Sequence, residues 1–327
     1  MTSKSDNTRT LLLLHLAVFL AGWTGIFGRL ISLSGLPLVW YRIAVSVVTL
    51  TAVLLILRRL HLPKARHLWR ICGCGFVLAI HWVAFYASIQ ASNVSVGVAC
   101  IATTSFFTAF LNLFFNRKEA SWKEFLISFV SIVGVLLIFS LDVRYRVGIA
   151  LGLLCAFAYA VFALMHIRTA EYTGEDSATM LLYELLGGFL FLTLCLPIMH
   201  GLRPEAAILP TRPDLIWLVL LGSVFTILPF LLQLHALRRL SAFTVNLAYN
   251  LEPVYSIAFA ALLFGEIREL SGSFWVGISL VAIAVVIQTL RVRTASLCPE
   301  RPARREESCS GAAISGVRRG AAVPRRT

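Results

Sequence analysis

A small set of residues carries the chemistry this sequence can offer inside apolar surroundings. Arg42, Glu184 and Glu252 bring charge, His81 an imidazole, Asn246 and Asn250 amides, and Trp23, Tyr86, Tyr183 and Tyr249 rings with one polar tip. A charge at a helix centre in hydrocarbon costs ~2.5 to 3.5 kcal/mol on insertion scales, so each such residue is a candidate for function. Glu252 lies ten residues into an apolar run that starts at Ala242, roughly 15 Å deep at 1.5 Å per residue. At 100° per residue, Asn246, Tyr249, Asn250, Glu252, Pro253 and Ser256 share half of that helix, which should face a water-filled path. Pro253 removes an amide donor and is expected to free the Tyr249 carbonyl for a substrate, as Pro229 does for Phe225. Glu252 reads either as a proton carrier that loads and unloads as access alternates, or as a structural acid fixing its helix in a bundle.

Arg42 sits one turn into its run, with Ser46 and Thr49 continuing the same face. It is placed to hold a substrate carboxylate, the alternative being that it snorkels to the headgroups. Glu184 is expected to act as a gate or a helix-pairing contact, or to snorkel. Coupling or gating thus falls to Glu184, Glu252 and Pro253, and substrate binding to Trp23, Arg42, His81, Tyr86, Tyr183, Asn246, Tyr249 and Asn250. Cys100, Thr104, Thr108 and Asn112 repeat every four residues and form a second polar face. The chain has no His-Glu-x-x-His zinc helix, Gly-x-Ser-x-Gly elbow or Gly-x-x-x-x-Gly-Lys loop, and its cysteines lack zinc spacing. We therefore expect no enzyme, cofactor or metal.

These residues need elements that hold them in lipid. Of 327 residues, 58% are hydrophobic and only 14% charged, with a net charge of +13. That cannot clothe a soluble surface, and it argues against a secreted disulfide scaffold, a nucleic-acid partner and a cytosolic enzyme. Ten apolar runs of spanning length predict ten helices: 11–33, 38–57, 69–88, 94–115, 125–141, 147–167, 178–200, 215–237, 242–264 and 274–290. The runs are continuous rather than alternating, which excludes barrel strands. The first run lacks a small-x-small cleavage site and is read as a span, not a signal. With the N-terminus inside, 22 of the 29 Lys and Arg residues fall on the cytoplasmic side and five on the other, with Arg29 and Arg42 within runs. Both termini are then cytoplasmic, residues 1–10 form a short leader and the Arg-rich segment 291–327 a disordered tail.

The chain also resembles itself. Leu113-Phe114-Phe115 falls on Leu262-Leu263-Phe264 at an offset of 149, and Tyr41-Arg42 falls on Tyr183-Glu184 at an offset of 142. Spans four and two thus correspond to spans nine and seven. Five spans match five, and because five is odd the second set, 147–290, enters from the side opposite to 11–141. The expected architecture is an all-α membrane protein of two inverted five-helix repeats.

Over residues 11–290 the sequence resembles the EamA-type transporters of the drug/metabolite transporter superfamily. The likeness rests on Leu240-Ser241-Ala242-Phe243-Thr244-Val245-Asn246-Leu247, on Leu251-Glu252-Pro253-Val254-Tyr255, and on Leu262-Leu263-Phe264-Gly265-Glu266. Gly22-Trp23 and Trp40-Tyr41-Arg42 are similar to the family's Trp-Gly and Arg-Phe positions, whereas Arg117-Lys118-Glu119 departs from the usual Gly-Glu. The resemblance implies a secondary transporter that uses no ATP, moving a small metabolite such as an amino acid across the cytoplasmic membrane. Export, with protons as a candidate coupling ion, is the preferred reading. An uncoupled facilitator or exchanger of the same fold, or a non-transporting membrane protein, is the alternative.

Overall fold

The computed structural model describes residues 4–101, 103–115 and 146–264, with scattered positions in 126–133 and 276–290. Every element among them is helical. In chain order these are α1 (Lys4–Ala21), α2 (Thr24–Leu30), α3 (Gly35–Ile56), α4 (Ala65–Ala91), α5 (Val94–Ile101), α6 (Thr104–Phe115), α7 (Arg146–Thr173) and α8 (Ser177–Leu202). Then follow α9 (Arg212–Ser223), α10 (Ile227–Leu237), α11 (Ala242–Ala248), a 3-10 turn (Tyr249–Leu251) and α12 (Glu252–Phe264). Among the described residues seven stretches are long and apolar enough to cross a membrane, and they coincide with expected spans one to four and six to eight. The ninth run is helical from 242 to 264 with a turn in its middle. Runs five and ten, and the tail, lie largely outside the described residues.

Helix ends follow the local sequence. Asp176 caps α8 by accepting from the amides of Ala178 and Thr179, at 2.9 and 3.2 Å. Thr211 and Asp214 form a capping box at the start of α9, which moves that start to Arg212, three residues before the first apolar residue. Ser241 caps α11 through the Thr244 amide at 3.2 Å. At the other end of the chain α1 begins at Lys4, so the expected 1–10 leader is mostly helix.

Sequence reading expected unbroken helices where the structure breaks them. The first span is interrupted at Gly22-Trp23, the fourth before Thr104, the eighth at 224–226 and the ninth at Tyr249–Leu251. The fourth and ninth breaks fall within about three residues of one another at the repeat offset of 149.

Helix α4 forms the centre, packed along α7 and α8, while α3 lies on α8 and α9 and α1 lies on α10. Small residues permit the crossings. A β-carbon at Gly75 would overlap the Glu184 carbonyl, and one at Gly187 would come within 2.6 Å of the Cys72 backbone, so α4 and α8 meet backbone to backbone. Outward faces stay apolar: Val48, Ile56, Leu194 and Ile198 are each at least 65% exposed. Such faces suit lipid rather than water.

Candidate functional site

The four helix breaks converge. One cavity is lined by Ala21 and Thr24 from the first break, Ile101 and Thr104 from the second, Phe225 from the third, and Tyr249 and Glu252 from the fourth. Around them stand Arg42 of α3, His81, Trp82 and Phe85 of α4, Tyr159 of α7, Phe230 and Gln233 of α10, and Asn246 of α11. About 550 Å³ is free of atoms there, but only about 50 Å³ admits the centre of a water molecule. The site as folded holds a few waters or a few polar atoms of a guest.

Arg42 is 2% exposed and does not snorkel. Its Nε donates to Thr226 Oγ1 at 2.8 Å and its Nη1 to the Tyr86 hydroxyl at 3.0 Å, while the guanidinium lies 4.3 Å over the Trp82 ring. The break at 224–226 makes this possible. Thr226 donates its own hydroxyl proton to the Leu221 carbonyl at 2.6 Å and so presents a lone pair to Arg42. Ser46, one turn on, donates to the carbonyls of Arg42 and Gly222, at 2.8 and 2.7 Å, and locks α3 against α9.

Glu252 opens α12 on the opposite wall, with the Thr24 hydroxyl donating to its carboxyl. Arg42 and Glu252 line the same cavity, yet no direct ion pair joins them among the described residues. Two opposite charges thus flank one small space. Pro253 behaves otherwise than expected. The Glu252 amide donates to the Tyr249 carbonyl, closing the 3-10 turn, so that carbonyl is not left for a substrate. The turn instead brings Tyr249 and the Glu252 carboxyl onto the cavity.

Further polar atoms in this wall lack partners. Thr104 Oγ1 and Asn246 Oδ1 are buried without a hydrogen-bond partner, and the Tyr159 hydroxyl and the Gln233 amide face one another with a hydrogen bond of poor geometry at best. Asn246 Nδ2 is engaged, donating to Thr108 Oγ1 at 2.7 Å. Leaving a buried polar group unpaired costs ~1 to 3 kcal/mol, so several around one void are matched to a polar occupant. His81 is anchored by Nδ1 on the Cys155 carbonyl at 3.0 Å, leaving Nε2 as its acceptor.

Five residues of the expected set therefore line the cavity: Arg42, His81, Asn246, Tyr249 and Glu252. Tyr86 stands behind Arg42 and holds it. Trp23 is not among the lining residues; its ring stacks on Phe259 at 4.3 Å. Tyr183 is not either, for its hydroxyl donates to the His61 carbonyl at 2.9 Å near one end of the bundle. The side chain of Asn250 lies outside the described residues. Glu184 neither lines the cavity nor snorkels: it is wholly buried and bonded to His166 at 2.7 Å. Sequence reading passed over Gln233 and Thr24 as site residues. Gln233 had a signal, an uncharged amide one turn beyond Pro229 in an apolar run, whereas Thr24 emerges only from the break before it.

Both ends of the bundle are tied. At one, His61 meets Glu175 at 2.8 Å, Arg59 lies 3.9 Å from Asp176, and Arg238 donates to the Glu175 carbonyl. The hydrogen bond to Glu175, and then that to the Arg59 carbonyl, raises the His61 imidazole above its usual 6.5. Burial works to raise Asp176, but hydrogen bonds from Thr179 and Ala178 outweigh it and hold that carboxyl below the usual range. At the other end Asp214 accepts from the Ser32 amide and hydroxyl at 2.8 and 2.6 Å, as well as from Thr211. Gln90 accepts from the Gly35 amide at 3.0 Å and donates to the Leu33 carbonyl at 3.2 Å.

A bundle of membrane-length helices around a largely apolar cavity with charged and polar groups in its wall, tied at both ends, is the build of a membrane transporter. The comparisons with known proteins agree. The model of the EamA-like transporter family matches residues 8–140 and again 146–290, and the chain belongs to that family. It is also similar to the protein named Uncharacterized transporter YdfC of Bacillus subtilis (strain 168), at 26% identity over 220 residues that cover 66% of this chain and 70% of that protein. A solved crystal structure shares the fold with a TM-score of 0.67 at 15% identity, covering 86% of this chain and 99% of the other.

Proposed function

We propose that this protein is a secondary transporter of the cytoplasmic membrane that exports a small zwitterionic metabolite, an amino acid or a close relative, by alternating access. The observation that carries this reading is the pair of unjoined opposite charges, Arg42 and Glu252, facing one cavity ringed by unpartnered polar atoms. Arg42 takes the substrate carboxylate and Glu252 its ammonium group. Gln233, Tyr159, Thr104 and Asn246 bond the remaining polar atoms. Trp82, Phe85, Phe225 and Phe230 cover the apolar part and keep bulk water out. Such a substrate replaces two desolvated charges with two charge-assisted hydrogen bonds, each worth ~1.5 to 3 kcal/mol.

The architecture is ten helices in two inverted repeats of five, both termini cytoplasmic. The double match of one family model supports the repeat, as does the nearness of the breaks in spans four and nine. Arg42 is the eighth residue of α3 and Glu184 the eighth of α8, the depth match that the offset of 142 predicts. In this arrangement the His61–Glu175 tie closes the cytoplasmic end and the Asp214–Ser32 tie the outer end. With both ties closed, this state stands as the occluded one in the proposed cycle. Releasing one tie at a time, with rocking about the broken helices, exposes the cavity to each side in turn.

Overexpressing the chain, its Arg42→Gln variant and an empty vector, and following extracellular metabolites by untargeted mass spectrometry, tests the proposal. One amino-acid-like class should accumulate outside only with the wild type. Identical profiles in all three would refute export.

A further inference from the structure

Away from the cavity, α7 and α8 bury a second titratable pair. His166 and Glu184 are both fully inaccessible, their Nδ1 and Oε1 atoms 2.7 Å apart. The far atom of each, His166 Nε2 and Glu184 Oε2, has no hydrogen-bond partner. A purely structural pair would have its outer atoms satisfied; here a carboxylate oxygen and a ring nitrogen are left with capacity for one more bond each. The 2.7 Å contact needs one proton between the two atoms, which a neutral imidazole donating Nδ1–H to a carboxylate supplies while leaving the pair singly negative. Binding one further proton, as imidazolium with carboxylate or as imidazole with carboxylic acid, makes the pair neutral. Losing that proton leaves a net charge among apolar helices, which is tolerated only once water reaches the site.

An opening lies next to it. His166, Ile167, Ala170 and Glu171 of α7 and Leu237 and Arg238 at the end of α10 line a second cavity, about 260 Å³ of which admits water. The ionisable groups around the pair are few. From α4 Cys72 and Cys74 face Glu184, with Cys74 Sγ 3.5 Å from Thr169 Oγ1 and Cys72 Sγ donating to the Tyr183 carbonyl at 3.6 Å. Tyr159 faces it from the cavity side, and Glu171 and Arg238 flank the opening. Those two oppose one another in charge. The opening is therefore wet and ionically balanced, while the pair behind it is dry.

We propose that His166 and Glu184 form a proton-binding site, distinct from the substrate cavity, that exchanges its proton through the opening between α7 and α10 and supplies the coupling ion for transport. The coupling part rests on the transporter reading above; the proton site does not. Closure of the His61–Glu175 tie keeps the proton in, because α8 begins beside that tie and Arg238 joins both regions. Opening of that end wets the pair and lets the proton exchange with the adjoining compartment.

The test counts protons. Purified wild type, Glu184→Gln and His166→Gln are placed in nanodiscs and stepped from about pH 9 to about pH 5 with a soluble pH dye. The wild type should take up about one proton per chain more than either variant. Glu184→Gln is isosteric and keeps an acceptor for His166, so it should fold. Equal uptake overturns the site. Should both variants fail to fold, infrared spectra of Glu252→Gln protein labelled with ¹³C-glutamate and ring-labelled histidine decide: a titrating protonated-carboxyl or imidazolium band supports the site and the absence of both overturns it. A second arm uses proteoliposomes with the twenty common amino acids as the probe. Amino acid movement accompanied by interior pH change in wild type, but without it in Glu184→Gln, supports coupling; movement without pH change in wild type overturns coupling. Absence of movement in wild type refutes the proposed substrate class, while the proton count still decides the site.

Discussion

Replacing Arg42 with Gln removes one of the two charges that face the cavity, and the structure sets the size of the effect. Nε and Nη1 are committed to Thr226 and Tyr86, and Nη2 has no hydrogen-bond partner among the described residues. A carboxylate therefore gains at least one charge-assisted bond from Nη2, worth ~1.5 to 3 kcal/mol, which is about 10- to 150-fold in Kd. An amine without a carboxylate gains nothing there. Binding is read as ligand-dependent thermal stabilisation of purified protein, comparing each amino acid with its decarboxylated amine. Arg42→Gln should weaken the amino acid by that factor and leave the amine within about 3-fold. Arg42→Lys keeps the charge but loses the planar stack over Trp82, at 4.3 Å, and one arm of the fork, so its loss should be intermediate. The unliganded variant should itself lose roughly 1 to 3 kcal/mol, since the buried Tyr86 hydroxyl is stranded. Equal weakening of amino acid and amine would refute the assignment of Arg42 to the carboxylate.

Three further outcomes follow from the packing and the ties. Because His61 is raised above 6.5 by Glu175, its tie is fully present below that value and is lost as pH climbs through the raised one. Hydrogen exchange in residues 174–180, corrected for intrinsic rate, should accelerate with pH in wild type and lose that dependence in His61→Gln. Gly75→Ala must push α4 away from the Glu184 carbonyl and should lower stability by about 1 to 3 kcal/mol, read as the thermal midpoint in detergent. Gly73→Ala, whose β-carbon would meet nothing within 4 Å, is the matched control and should change little. Asp214→Ala removes the acceptor for Ser32 and Thr211 together; labelling of a cysteine placed at Ser32 should then speed up several-fold relative to the same cysteine with Asp214 intact. Unchanged labelling would mean that this end is not closed by Asp214.

The helical, membrane-spanning character was legible because it rests on summed composition: a run of twenty apolar residues leaves its backbone no option in lipid but to bond within itself. Arg42 and Glu252 were legible for a related reason, since a charge is too costly in hydrocarbon to be there without use or partner. What the sequence withheld is what depends on a break. Gly22-Trp23 and Thr103-Thr104 carry no proline; at the first break Ser256 donates to the Gly22 carbonyl at 2.5 Å, and at the second the Thr103 hydroxyl donates to the Cys100 carbonyl at 2.7 Å. Thr24 and Thr226 consequently looked like helix surface, whereas Thr104 stood in a polar face that suits either a path or helix packing. Trp23 and Tyr183 erred in the other direction: an aromatic with a polar tip suits a cavity wall, a stack or a tie equally well, and residue type alone does not choose among them.

His166 shows the limit most plainly. In sequence it is one histidine in an apolar run, eighteen positions from Glu184. Helical spacing within α7 gives no hint of a partner, because the partner lies on the next helix across the turn at Gly174 to Asp176. The left-handed Gly174, at φ 70°, ends α7 and Asp176 caps α8 within three residues, so the two helices run back against each other. His166 and Glu184 lie eight residues before Gly174 and ten after it, nearly equal distances from the turn. The same short turn carries Glu175 to His61 and Asp176 to Arg59. One tight connection therefore sets both the tie that seals this end and the register of the buried pair behind it. Lengthening it by two glycines after Gly174 should disturb both at once, whereas His61→Gln should release the tie and lower the proton count by no more than the one proton of its own imidazole. If the insertion opens the end, by hydrogen exchange, yet leaves proton uptake at the wild-type level, then helix packing and not the turn holds His166 against Glu184.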